Sequence, residues 1–141
     1  MPDQVSVRLR TVGKGPTALA QAGPFTLTVD RPAAAGGGGL GFNGGQLLYL
    51  SIAACLSNDL YREAATMGIE LDGVDVAVDG EFEGRGSGSS PITVNLTLRS
   101  SAPEQRLHEL VAEVERVAEI PRSIRESPTI EVRSTFESPA G

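Results

Sequence analysis

The chain has 141 residues, with 18 acidic against 12 basic side chains and a formal net charge of −6. That length suits one domain, 1–141, large enough to bury a real core, and 40% hydrophobic with 21% charged residues is ordinary for a soluble globular fold. The acidic balance argues against nucleic acid, where a basic stripe supplies most of the affinity, and no run approaches the roughly 20 apolar residues of a membrane span.

The first residues, Met1 to Val5, show neither a basic nor an apolar leader region, so no secretory signal is expected. With Cys55 as the one cysteine, the expected compartment is the reducing cytoplasm. Lys14 is the one lysine; arginine bias with high glycine and alanine points to a GC-rich bacterial genome. Four phenylalanines, two tyrosines and no tryptophan make a stacking platform for single strands improbable.

From Gln4 to Thr11 apolar Val5, Val7 and Leu9 alternate with polar Ser6, Arg8 and Arg10, the period of a half-buried strand. The Gly13–Pro16 turn returns the chain as a second strand over Thr17–Ala22, and Phe25, Leu27 and Val29 give a third. Residues 30–45 read as a loop with Pro32 and seven glycines, mobile unless packed, and able to let backbone approach a ligand closely. It lacks the Gly-Lys-Ser/Thr ending of a phosphate loop.

Asn43 and Gln46 form a capping box for a helix over about 44–67, which Gly68 ends. Leu47 to Leu56 is apolar on nearly every side, and such a helix must be covered all round. One small sheet covers one face; a second subunit is the simplest cover for the other. Val74, Val76 and Val78, then Ile92, Val94, Leu96 and Leu98, predict a long hairpin. Ser101 and Glu104 suggest a second capping box ahead of Leu107, Leu110, Val111, Val114 and Val117 at helical spacing. Pro121 is expected to break that helix, with a short turn to Glu126, and Ile130, Val132 and Phe136 to form a last strand. The order βββ-α-ββ-α-β is an α+β domain with antiparallel sheet and a central buried helix.

Cys55 lies in the middle of the most apolar helical run and can be packing, nucleophile or redox centre. On its face fall Leu48, Ser51, Ile52, Asn58, Asp59 and Arg62, so the surface turns from apolar to polar at the sulfur. Arg62 would favour a thiolate and Asp59 the neutral thiol, so the local signs oppose. His108 reads as a surface residue, and Asp75, Asp79, Glu81 and Glu83 as a solvated face. One histidine and one distant cysteine are too little for a metal site, so neither metal nor cofactor is expected.

The stretch from Asn43 to Leu56 resembles the OsmC/Ohr family of bacterial thiol peroxidases, whose members show Asn-Pro-Glu-Gln/Glu-Leu followed by Ala-Ala-Cys-Phe; the order of elements around it is similar over nearly the whole chain. The resemblance implies an OsmC-like fold, an intertwined homodimer with sites at the interface, and reduction of organic hydroperoxides in the response to oxidative stress. It puts the peroxide-attacking thiol at Cys55. The glutamate that orients the family's arginine falls at Gly45, the resolving cysteine at Ile120, and the arginine itself in a region that offers Lys14 at best. A two-cysteine cycle is therefore impossible as the family runs it.

Three readings follow: a single-cysteine peroxidase returned by an external thiol; a non-redox pocket for a small apolar molecule at the dimer interface; or a non-redox enzyme acting on a specialised metabolite through Tyr49, Tyr61, Ser51 or Arg62. In all three the same pocket is meant, lined by Leu48, Ser51, Ile52, Asp59 and Arg62.

Overall fold

In the computed structural model, which describes residues 2–139, the chain opens with three strands, β1 (Arg8–Thr11), β2 (Ala18–Ala22) and β3 (Phe25–Val29), in one antiparallel meander. Met1, Ala140 and Gly141 of the expected 1–141 domain lie outside the described residues. A single turn of tight helix at Ala33–Ala35 leads to α1 (Gly44–Met67). The strands β4 (Gly73–Asp79) and β5 (Thr93–Arg99) form a two-stranded antiparallel hairpin, followed by α2 (Glu104–Val117) and α3 (Glu119–Glu126). The fold is thus mixed α+β, with three α-helices and two antiparallel sheets.

The long helix begins and ends where its sequence signals say. Asn43 accepts from the Gln46 N–H at 2.9 Å, and the Gln46 side chain accepts from the Asn43 N–H at 2.9 Å, which satisfies two donors that a helix start leaves open. Gly68, left-handed at φ 69°, turns the chain out of the helix. Along α1 the buried row is Ile52, Leu56, Leu60 and Ala64, at a spacing of four residues. It meets Leu110, Val114 and Ala118 of the α2 segment, and the inward side chains of β4 and β5 pack on that cluster. Leu60, Leu110 and Val114 are fully buried; each such side chain contributes about 1.5–3 kcal/mol.

Three expectations are corrected. The second capping box does not form: Pro103 holds the cap position of α2, with no side-chain cap bond. The break after α2 falls at Ala118, ahead of Pro121, which lies inside α3. There its missing N–H belongs to the first turn, where no intrahelical partner exists. The last strand is absent, and residues 128–139 take no regular structure, with Ile130, Val132 and Phe136 exposed by 82–91%. Their alternation is that of a strand, but a strand needs a neighbour to take its N–H and C=O groups, and this chain presents none there.

The meander has the same deficit. Its register sets Leu9, Ala20 and Leu27 in one cross-strand row, flanked by Thr11, Ala18 and Val29 and by Ala22 and Phe25. The opposite face carries Arg8, Arg10, Gln21, Thr26 and Thr28, with Leu19 as its one large apolar side chain. The helices pack on the β4–β5 hairpin and on one another rather than on the meander, so its apolar face stays largely open, Phe25 by 75% and Leu9 by 56%.

Leu60→Ala should lower the unfolding free energy by about 2–5 kcal/mol, measured by urea denaturation, while Leu9→Ala measured at a concentration where the protein is monomeric should change it by less than about 0.5 kcal/mol.

Candidate functional site

The glycine-rich loop is built around one carboxylate. Asp30, buried at the end of β3, accepts from the Thr17 hydroxyl at 2.8 Å and from the N–H groups of Arg31 at 2.7 Å, Gly38 at 3.2 Å and Leu40 at 3.2 Å. Burial works to raise its pKa, but the hydroxyl and the three amides together outweigh that and hold the carboxyl below its ordinary 3.8. Backbone passes so closely that a Cβ at Gly37 would overlap the Arg31 carbonyl, and one at Gly41 the Thr28 carbonyl. The loop, expected to be mobile unless packed, is therefore packed in place, and Phe42 bridges to Val29 just before the α1 cap.

At the start of α1, Gly45 has no carboxylate to offer, and its open side is occupied: a Cβ there would stand 3.1 Å from the Phe82 ring. Phe82 in turn stacks on Tyr49, centroids 5.8 Å apart. Tyr49 shares a 2.6 Å hydrogen bond with the Ser89 hydroxyl. Phe82 sits between Glu81 and Glu83, in a run read from the sequence as solvated; one aromatic among carboxylates was the signal available.

Two turns on, Cys55 is half-buried, and its thiol donates to Asp59 Oδ2 at 3.8 Å. The other Asp59 oxygen, Oδ1, lies 3.1 Å from Arg62 Nη1. Arg62 also donates to Glu63 at 3.0 Å. Its guanidinium is held above the ordinary value by the Glu63 hydrogen bond first and then by the Asp59 charge, with Glu119 of α3 adding to the field. Of the opposed neighbours expected from spacing, Asp59 is thus the one that engages the sulfur, and Arg62 reaches it only through Asp59.

The remaining candidates divide. Leu48 and Ile52 belong to the wall of a cavity of about 710 Å³. Ser51 turns its hydroxyl back to the Leu48 carbonyl, 2.5 Å away in its own helix, and Tyr61 is exposed. Tyr49, Ser51 and Arg62 each hydrogen-bond to a different partner, so these candidates share no common contact. Ile120 packs on the apolar core where the resemblance puts a thiol. His108 is exposed and 3.5 Å from Glu104. The cavity itself runs between α1, β5, α2 and α3, and Cys55 is not in its wall. A smaller hollow of about 260 Å³ lies on the other side of α1, between Tyr49, Leu50 and Ala53 and the β4 residues Val76 and Val78. Sequence reasoning did not find Arg125 or Glu115, which also line the larger cavity; it had no means to bring α3 against β5. Among the described residues, no group of three or more His, Cys, Asp or Glu is placed to hold a metal, and no helix is long and apolar enough to cross a membrane.

The family model for OsmC-like proteins matches residues 36–133, which run from within the glycine-rich loop through α1, the β4–β5 hairpin, α2 and α3 into the tail. The chain belongs to the OsmC-like protein family. Solved structures agree on the fold of this OsmC-like chain. An OsmC-like protein from Mycoplasma pneumoniae superposes with a TM-score of 0.78 at 17% identity, covering 90% of this chain and 91% of that one. The organic hydroperoxide resistance protein OhrB of Bacillus subtilis gives 0.61 at 22% identity, over 89% and 93%. A Vibrio cholerae protein assigned to organic hydroperoxide resistance, with captopril bound in one of its active sites, gives 0.64 at 21%, over 90% and 88%. Among curated proteins, none matches the chain.

The Asp30 linkage has a definite sign. Its folded pKa lies below the ordinary value, so its contribution is complete above about pH 4 and is lost as pH falls through the folded value. Amide-exchange protection of Gly38 and Leu40 should hold from pH 7 to pH 5 and decline below about 4, whereas Asp30→Asn should weaken it throughout.

Proposed function

We propose that this OsmC-like protein is a single-cysteine thiol peroxidase in which Asp59 serves Cys55 as proton acceptor. The observation that carries the reading is the thiol hydrogen bond to Asp59, whose second oxygen is anchored by Arg62. A positioned carboxylate can take the S–H proton as the sulfur attacks, the role of a general base beside a nucleophile. Cys55 Sγ bonds to the terminal oxygen of an organic hydroperoxide and the O–O bond breaks. The proton held by Asp59 goes to the departing alkoxide, giving an alcohol and a cysteine sulfenic acid. Sulfur is oxidised by two electrons and the peroxide reduced by two. With Ile120 in place of a second thiol, the return needs two equivalents of an external thiol, which leave as a disulfide with one water. The carboxylate–guanidinium pair that the family resemblance puts on Gly45 and the N-terminal region is thereby supplied from within α1. The names of the hydroperoxide resistance relatives favour this substrate class. The unpaired thiol suits a reducing compartment, so the cytoplasm is the proposed location, with a role in oxidative stress.

The working unit is a homodimer in this proposal. The chain exposes 10916 Å², whereas a compact monomer of 14.7 kDa exposes roughly 6,900 Å². The excess of roughly 4,000 Å² per chain, or roughly 8,000 Å² for a pair, exceeds the roughly 2,000–5,000 Å² total that most obligate interfaces bury, so an extensive interface could be accommodated. A second copy would cover the apolar meander face and give residues 128–139 a strand to pair with.

A second reading, non-redox binding of a small apolar molecule, is favoured by one observation: the 710 Å³ cavity leaves Cys55 outside its wall.

With cumene hydroperoxide and dithiothreitol, Cys55→Ser should abolish peroxide consumption, and Asp59→Asn should lower the rate by about 10²-fold or more while leaving the fold intact by circular dichroism. Equal consumption by wild type and Cys55→Ser would move the assignment to the binding reading. Light scattering at micromolar concentration should return twice the 14.7 kDa chain mass; a monomer would remove the dimer.

A further inference from the structure

The larger cavity does not have Cys55 in its wall, and it has the dimensions of a binding site. Its volume of about 710 Å³ falls within the roughly 300–1,000 Å³ of small-molecule sites. Ile52 and Leu56 of α1 face Val94 and Leu96 of β5, and Val111 and Ile124 close it from α2 and α3. A wall of this kind takes a hydrocarbon body.

Two charged side chains border it, Arg125 and Glu115. The arginines nearby on α2 are paired, Arg106 with Glu109 and Arg116 with Glu113. Among the described residues, neither Arg125 nor Glu115 is in an ion pair. Arg125 stands in the last turn of α3, where a cation also suits the carbonyl end of the helix. That role fixes no direction for the guanidinium; Arg125 is exposed and borders the apolar wall, so its planar fork of donors is within reach of a ligand's head at the cavity rim. Such a fork matches a carboxylate with two parallel hydrogen bonds. Glu115 has the opposite sign and works against an anion, so it limits affinity rather than supplying it.

We propose that this cavity binds an apolar carboxylate, its chain against Ile52, Leu56, Val94 and Leu96 and its head on Arg125, without participation of Cys55. The inference goes beyond the peroxidase reading and stands or falls separately, because the sulfur is outside the wall.

The full chain is titrated calorimetrically with decanoate, dodecanoate and methyl dodecanoate, each below its aggregation concentration. Dodecanoate should bind saturably with one equivalent per chain. Each buried methylene strengthens binding about fourfold, so dodecanoate should exceed decanoate by on the order of tenfold. The methyl ester should bind more weakly than the acid by about tenfold, the scale of one charge-assisted pair. Arg125→Gln should bring acid and ester together, Arg125→Lys should restore part of the difference, and Glu115→Gln should tighten the acid alone. Val111→Phe, which narrows the cavity without touching a charge, should weaken both ligands. Cys55→Ser should leave the affinity for both ligands as it is while removing the thiol, which separates this test from that of the peroxidase. Equal affinity of acid and ester in the wild type would overturn the proposal. So would an Arg125→Gln variant that binds like the wild type, or the absence of saturable binding because a second copy fills the cavity.

Discussion

Burial of the α1 row Ile52, Leu56, Leu60 and Ala64 against Leu110 and Val114 is the contact on which the rest of this molecule depends. It sets the rotation of a 24-residue helix, and rotation decides what Cys55 meets. With that row turned inward, the sulfur falls on the flank, half-buried, one turn from Asp59. The larger cavity then opens along Leu48, Ile52 and Leu56 at the row's N-terminal end, where β5 and α3 stand off from the helix. Thiol and cavity are thus neighbours on one helix that need not act together.

A single chain cannot finish this architecture. The apolar meander face lacks a helix, and the strand-patterned tail has no partner. In the proposed homodimer a second copy would supply the neighbour that both lack.

Much of the fold was legible because its signals are local. Asn43, Gln46 and Gly68 bound α1 at 44–67, and the alternation of Val74, Val76 and Val78 with Asp75 and Asp79 marked β4. What escaped was non-local. Asp30 looks like an ordinary loop acid until Thr17, Gly38 and Leu40 converge on it. The tail has the period of a strand, but pairing depends on another segment. Within the site, four-residue spacing placed Asp59 beside Cys55 correctly. Nothing local showed that Phe82 would lie over Gly45, or that Arg125 and Glu115 would border a cavity with β5. The OsmC-like resemblance located Cys55, Gly45 and Ile120, while the structure supplied what surrounds them.

The central claim is that Cys55, served by Asp59, is a peroxide-reactive thiol in a protein with no second cysteine. Its most direct test is peptide mass spectrometry after one equivalent of cumene hydroperoxide in the presence of dimedone. The account expects one dimedone adduct, on the peptide containing Cys55, at a yield that falls sharply in Asp59→Asn, with sulfinic acid accumulating when dimedone is omitted and peroxide is in excess. An unmodified Cys55 peptide recovered in full from folded protein would contradict it.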